Sequence, residues 1–153
     1  MRPGDLAPDF TAVDQTGATV RLDEMLADGP VVLFFYPKAF TTGCTWESCY
    51  FRDLATEFED AGAQRVGISG DDVSVQAKFD AAHDLGFLLL SDGDRSIAKL
   101  YGVKRLGPLL NKRTTFVIDT DRRLLDVIKT EYNMETHADA ALAALAARDG
   151  FDG

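Results

Sequence analysis

The chain has 153 residues, the length of one ordinary domain, and two halves with separate cores would each be uncomfortably small. A hydrophobic share of 46 % suffices for one sizeable core, and 27 % charged residues give no reason to expect disorder. The 16 Lys and Arg against 25 Asp and Glu leave a net charge of −9, which repels phosphate backbones and anionic headgroups and speaks against nucleic acid or a membrane surface as partner.

No apolar run approaches the roughly 20 residues that span a bilayer. Met1 to Asp5 leads into no apolar signal segment, so a cytoplasmic location is expected. In chain order, an N-terminal extension around Phe10 to Val20 reads as a β-hairpin. Residues 31–36, all β-formers between Gly29-Pro30 and Pro37, have the pattern of a central strand covered on both faces. Residues 45–61 show helical periodicity in Trp46, Cys49, Tyr50, Leu54 and Phe58, with Gly62 where a C-cap belongs. A short strand follows around Val66-Gly67-Ile68. Residues 73–83 read as a helix with Val75, Phe79 and Ala82 on one face, 87–90 as a strand, and 96–101 as a brief helix closed by Gly102. The loop 104–112, with Gly107-Pro108, reads as a mobile surface segment. Residues 114–118 and 124–129 flank Asp119-Thr120-Asp121-Arg122 as a hairpin, and 136–148 form a final Ala-rich helix.

Strands joined through helices pair in parallel with right-handed crossovers, and the late hairpin adds antiparallel strands. The expectation is one α/β domain over 1–153: a mixed central sheet flanked by helices, the thioredoxin-like fold, with an N-terminal β-hairpin extension. A flavodoxin-like sheet is the competitor, and the terminal hairpin weighs against it.

Cys44 and Cys49 are the only cysteines. A permanent disulfide is out of place in a reducing compartment, which leaves room for a reactive or transient role. With two distant histidines, His83 and His137, they make a poor zinc set, so no metal site is expected. Ligands of open α/β sheets bind beyond the carboxyl ends of the strands, and the central strand ends at Tyr36-Pro37. Cys44 then falls at or inside the first turn of the next helix. Unpaired backbone N–H groups and the helix dipole favour an anion there, and a thiolate is such an anion. The same position equally suits a small apolar residue at a strand-to-helix turn. If both cysteines are helical, five steps leave their Cα atoms roughly 8–9 Å apart, beyond the limit of about 7 Å for a disulfide. They bond only if the first turns unwind. Spacing alone leaves open whether they are unrelated core residues or partners in a cycle that includes local unfolding.

The segment from Tyr36-Pro37-Lys38-Ala39-Phe40-Thr41-Thr42-Gly43-Cys44 to Cys49 resembles the active-site segment of peroxiredoxins. Pro37, Thr41 and Cys44 match the P-x-x-x-T-x-x-C motif. A second cysteine five positions on is similar to the peroxiredoxin Q group, the bacterioferritin comigratory proteins. The resemblance covers nearly the whole chain. Gly4 to Phe10 is similar to the family's G-x-x-A-P-x-F, Leu90-Ser91-Asp92 and Tyr101-Gly102-Val103 follow in the expected order, and Arg113 to Asp119 resembles the strand carrying the family's catalytic arginine. Thr42 departs from the proline common in the group, a change that loosens the loop without removing a reacting atom.

The resemblance implies an atypical 2-Cys, thioredoxin-dependent peroxidase with an antioxidant role in cell redox homeostasis. Cys44 is then the peroxidatic cysteine, whose thiolate reduces hydrogen peroxide or an organic hydroperoxide and becomes a sulfenic acid. Cys49 is the resolving cysteine, closing an intramolecular disulfide that thioredoxin or a glutaredoxin-like protein reduces. Arg113 supplies the cation and its fork of donors, Thr41 a hydroxyl that donates and accepts, Pro37 a stiff shield, and Glu47 a carboxylate that orients Arg113. Tyr36, Phe40 and Gly43 are expected around the peroxide. No cofactor is implied, because the sulfur carries the redox change. A monomer or weak homodimer is expected. Two other classes remain in view: a dithiol oxidoreductase acting on protein disulfides, which normally has C-x-x-C, and a non-enzymatic binding module with incidental cysteines.

Overall fold

The computed structural model describes residues 1–105, 111–131 and 133–151. Most of the loop expected to be mobile, 104–112, lies outside these described residues. The N-terminal hairpin is present as β1 (Thr11–Val13) and β2 (Thr19–Arg21), followed by a five-residue helix α1 (Leu22–Leu26) that the sequence reading did not include. The order continues β3 (Val31–Phe35), α2 (Thr42–Asp53), α3 (Ala55–Asp60), β4 (Gln64–Ser69), α4 (Val73–His83), β5 (Leu88–Ser91), α5 (Ser96–Leu100), β6 (Thr114–Ile118), β7 (Leu124–Lys129) and α6 (Met134–Phe151). One seven-stranded sheet runs β2-β1-β5-β4-β3-β6-β7. Strands β3, β4 and β5 pair in parallel, while β1 on β5, β6 on β3 and β7 on β6 pair antiparallel. The sheet is therefore mixed and flanked by helices, the thioredoxin-like architecture.

β3 shows how one strand builds two cores, because successive side chains point to opposite faces. Val31, Leu33 and Phe35 join Leu22, Met25, Ile97 and Tyr101 on one side. Val32 and Phe34 join Cys44, Phe51, Phe58, Phe79 and Leu145 on the other. The Phe34 and Phe51 rings stack at 4.3 Å and dock α2 on the sheet. Burying a ring of that size stabilises the fold by about 1.5–3 kcal/mol.

Two helices differ from expectation. The stretch 45–61 is interrupted: Leu54, at φ −97° and ψ 22°, separates α2 from α3. The inward face of α2 is Cys44, Glu47, Ser48 and Phe51, whereas Trp46 is 56 % exposed. In α4 the buried pair is Gln76 and Phe79, and Ala82 is exposed. Gln76 sits inside because its amide is fully used. Nε2 donates to Ser69 Oγ at 3.0 Å and to the Leu90 carbonyl at 2.9 Å, and Oε1 accepts from the Tyr36 hydroxyl. A buried amide so satisfied is tolerated in place of an apolar side chain.

Candidate active site

Central strand β3 delivers the chain through Pro37 into the segment that starts α2. Three contacts shape this segment. The Ala39 N–H donates to Asp71 Oδ2 at 2.7 Å, and Ser69 Oγ holds the same oxygen at 2.6 Å. Phe40 takes φ +65°, a left-handed conformation unusual for a bulky residue, and its ring rests edge-on against Phe79 at 5.2 Å. Thr41 is the N-cap residue of α2. Its hydroxyl donates to the Lys38 carbonyl at 2.8 Å instead of capping the helix, and the oxygen keeps lone pairs for another donor.

Cys44 is in the first turn of α2, and its Sγ lies 3.2 Å from Nη2 of Arg113. Arg113 enters from the residue before β6. Its Nη1 donates to Glu47 Oε1 at 2.8 Å, so one guanidinium bridges the sulfur and the carboxylate. Its backbone N–H donates to Glu131 Oε1 at 3.1 Å, and Arg105 Nη2 approaches the same oxygen at 2.9 Å. Gly43 makes room: a β-carbon there would lie 3.2 Å from Arg113 Nη2 and 3.5 Å from Met134 Cε.

The electrostatics follow from burial. Glu47 is wholly enclosed, and loss of water pushes its pKa up to about 7 even though Arg113 pulls the other way. For Arg113, burial works against the charged form, but Glu47 and Cys44 outweigh it and its pKa is raised. The site thus places a permanent cation against the sulfur of a cysteine in the first turn of a helix. The Cys44 side chain has no exposed surface. A cleft of about 350 Å³ borders Pro37, Lys38, Asp71 and Asn111. A second, of about 370 Å³, reaches Arg113 beside Tyr101, Val103 and Glu131. Neither is lined by Cys44.

The structure therefore gathers Cys44, Glu47, Arg113 and Gly43, with Pro37 and Thr41 on the adjoining segment. Cys49 is half-buried in the same helix, and both cysteines are free. Tyr36 is core: it is fully buried, and its hydroxyl is engaged by Gln76. Phe40 is 52 % exposed. Sequence reasoning missed His137, which comes from α6 to within 3.6 Å of Glu47, and Thr115, which holds the imidazole at 2.7 Å. A lone histidine in an Ala-rich helix 90 positions from Glu47 carried no local signal. Among the described residues no group of three or more His, Cys, Asp or Glu could hold a metal ion, and no helix is long and apolar enough to cross a membrane.

The chain is similar to known proteins in both sequence and fold. The chain is 57 % identical over 150 residues to a Mycobacterium tuberculosis protein provisionally named a peroxiredoxin, covering 96 % of this chain and 97 % of that one. It is 40 % identical over 146 residues to chloroplastic peroxiredoxin Q of Populus jackii, covering 95 % of this chain and 68 % of that one. Among solved structures, peroxidoxin BcpB of M. tuberculosis superposes with a TM-score of 0.92 at 57 % identity over 96 % of this chain and 97 % of that one. A Xanthomonas campestris bacterioferritin comigratory protein, whose structures address alkyl peroxide reduction, gives 0.82 at 32 % identity over 91 % of each chain. Residues 3–127 match the AhpC/TSA family. The chain therefore belongs to the AhpC/TSA family, the peroxiredoxin-type thiol peroxidases.

Proposed function

We propose that the protein reduces hydrogen peroxide and organic hydroperoxides through Cys44 and regenerates through Cys49. The observation that carries this reading is the 3.2 Å contact between Cys44 Sγ and Arg113 Nη2, with the guanidinium fixed from behind by Glu47. The Cys44 thiolate attacks one peroxide oxygen, the O–O bond breaks, and the leaving oxygen departs as hydroxide or alkoxide and takes up a proton. The sulfur, oxidised by two electrons, becomes a sulfenic acid. Arg113 stabilises both the thiolate and the charge growing on the departing oxygen, and the Thr41 hydroxyl serves the oxygen on the other side. Cys49 then attacks the sulfenic sulfur, water leaves, and a Cys44–Cys49 disulfide forms. A dithiol protein of the thioredoxin or glutaredoxin type reduces it.

Two features set the dynamics of this cycle. Cys44 is enclosed, so peroxide reaches it when the segment 37–43 gives way. Both cysteines are in an intact α2, so the disulfide forms only after local unwinding. The alkyl peroxide chemistry of the Xanthomonas relative supports organic hydroperoxides as substrates. We place the protein in the cytoplasm as a monomer or weak homodimer. A peroxide pulse followed by mass spectrometry tests the reading. Loss of two hydrogens per chain with residues 44 and 49 linked is expected. An inert chain, or one that only exchanges with a protein disulfide, rejects it.

A further inference from the structure

Behind Arg113 lies a buried cluster that the peroxidase cycle leaves unassigned. Glu47 Oε2 has no hydrogen-bond partner, although the side chain is wholly enclosed. It faces Nδ1 of His137 at 3.6 Å, an ion-pair distance too long for a hydrogen bond. The imidazole is held at both nitrogens: Nε2 lies 2.8 Å from the Thr130 carbonyl and Nδ1 lies 2.7 Å from the Thr115 hydroxyl. A carbonyl oxygen only accepts, so Nε2 carries the hydrogen. In the neutral ring, Nδ1 takes the Thr115 hydroxyl hydrogen and Oε2 faces no donor. One added proton reverses this. Nδ1 then donates to the Thr115 oxygen, and the stranded carboxylate oxygen gains a cation beside it. An enclosed carboxylate with a donor on Oε1 alone leaves Oε2 unsatisfied at a cost, which gives that proton its driving force.

We propose that His137, held by Thr115 and Thr130, is a positioning residue that shares one exchangeable proton with Glu47 and so sets how much of the Arg113 charge is available to the Cys44 sulfur. This rests on the reading of Cys44 as the peroxide-reducing sulfur and adds a residue to it. With the proton present, Glu47 and His137 together are neutral, and the guanidinium faces the thiolate alone. With the proton gone, the pair carries one negative charge and competes with the thiolate for Arg113. Proton and thiolate therefore favour each other, and the coupling is reciprocal.

The groups facing the ring pull in both directions. Helix α2 contributes Glu47 and, beyond it, Cys44; β6 is led in by Arg113; the turn after β7 contributes Glu131. Glu135 and Asp139 lie on the exposed side of α6. Burial and Arg113 press the ring toward its neutral form, the Thr130 carbonyl and Glu131 press it toward the charged one, and burial prevails, so its pKa is lowered. The Glu47 carboxyl, lifted to about 7, still exchanges its proton near neutrality.

The test uses reduced Cys49→Ser protein, so that a single thiol titrates. Nitrogen NMR follows the His137 ring, distinguished from His83 by His83→Gln, and ultraviolet absorbance of the thiolate follows Cys44. The His137 midpoint is expected to fall when Cys44→Ser is added. The Cys44 midpoint is expected to rise by about one pH unit, tenfold in proton affinity, in His137→Asn. A His137 midpoint indifferent to the thiol overturns the proposal, and this measurement stands even if His137→Asn fails to fold. Peroxide consumption by Cys44 without the coupling rejects the shared proton alone. Consumption that survives Cys44→Ser rejects the reading beneath it.

Discussion

Gly43 and Arg113 are fitted to each other: a β-carbon on residue 43 would meet the guanidinium at 3.2 Å, just where Nη2 reaches the Cys44 sulfur. Because Nη1 is tied to Glu47 at 2.8 Å, the guanidinium cannot retreat freely. Gly43→Ala should therefore slow peroxide reduction, while the gain of up to about 1 kcal/mol of alanine over glycine in a helix interior is set against the strain of that contact. Stopped-flow peroxide kinetics beside urea unfolding read the two effects separately. About a tenfold loss of rate is expected for a displacement of a few tenths of an ångström in a preorganised donor. An unchanged rate would show that the guanidinium shifts without consequence.

Arg113→Ala should lower the second-order rate with peroxide by two or more orders of magnitude, on the order of 3 kcal/mol or more of transition-state stabilisation. The fold should survive, because Glu47 with a pKa of about 7 can become neutral when its cation is removed. Circular dichroism and peroxide kinetics on the same sample decide this. Near-normal turnover in a folded protein would remove Arg113 from the mechanism.

Cys49→Ser should still consume about one equivalent of peroxide and then stop, with the sulfenic acid trapped at Cys44. Dimedone labelling and thioredoxin-coupled turnover check the two halves of that statement. In the unsubstituted protein, hydrogen exchange should show α2 losing protection on oxidation. Retained protection over 42–53 in a disulfide-bonded chain would contradict the unwinding.

The pH dependence of stability has a definite sign. The Glu47 pKa is raised from 4.5 to about 7 in the folded chain. The folded state thus holds a proton that the unfolded state has released across this window. Its contribution to stability is fully present below about 4.5 and falls as pH rises toward 7. Glu47→Gln should remove that decline, so the variant gains on the parent as pH rises through the window. His137 works in the opposite sense: burial lowers its pKa, and its contribution is lost as pH falls. Urea unfolding of parent and variant at matched pH values measures the difference. A constant gap between them would refute the assignment.

Tyr36→Phe separates a core role from a place in the peroxide site. Removing the hydroxyl leaves Gln76 Oε1 buried without its donor and should cost about 1–3 kcal/mol of stability. The peroxide rate should hold. A slowed reaction with unchanged stability would restore Tyr36 to the reacting surface.

The sheet was legible because strands announce themselves locally. Residues 31–36 are apolar without a break, and Asp119 to Arg122 sits between two β-rich runs. The α2 face was misread because its inward residues include Glu47 and Ser48, polar side chains that a hydrophobic period discards, while Trp46 faces outward. The candidate site was readable through motif residues close together in sequence, and through Arg113 beside a recognisable strand. His137 and Thr115 were not, because what joins them to Glu47 is the packing of α6 across α2 and β6, and no local period encodes that distance.

The interruption at Leu54 has a bearing on how far oxidation spreads. Because α3 starts afresh with its own anchor, Phe58, in the core, collapse of the preceding turns meets a natural firebreak. The rearrangement that the proposed Cys44–Cys49 bond requires can thus be confined to the 12 residues of α2, sparing the rest of the scaffold.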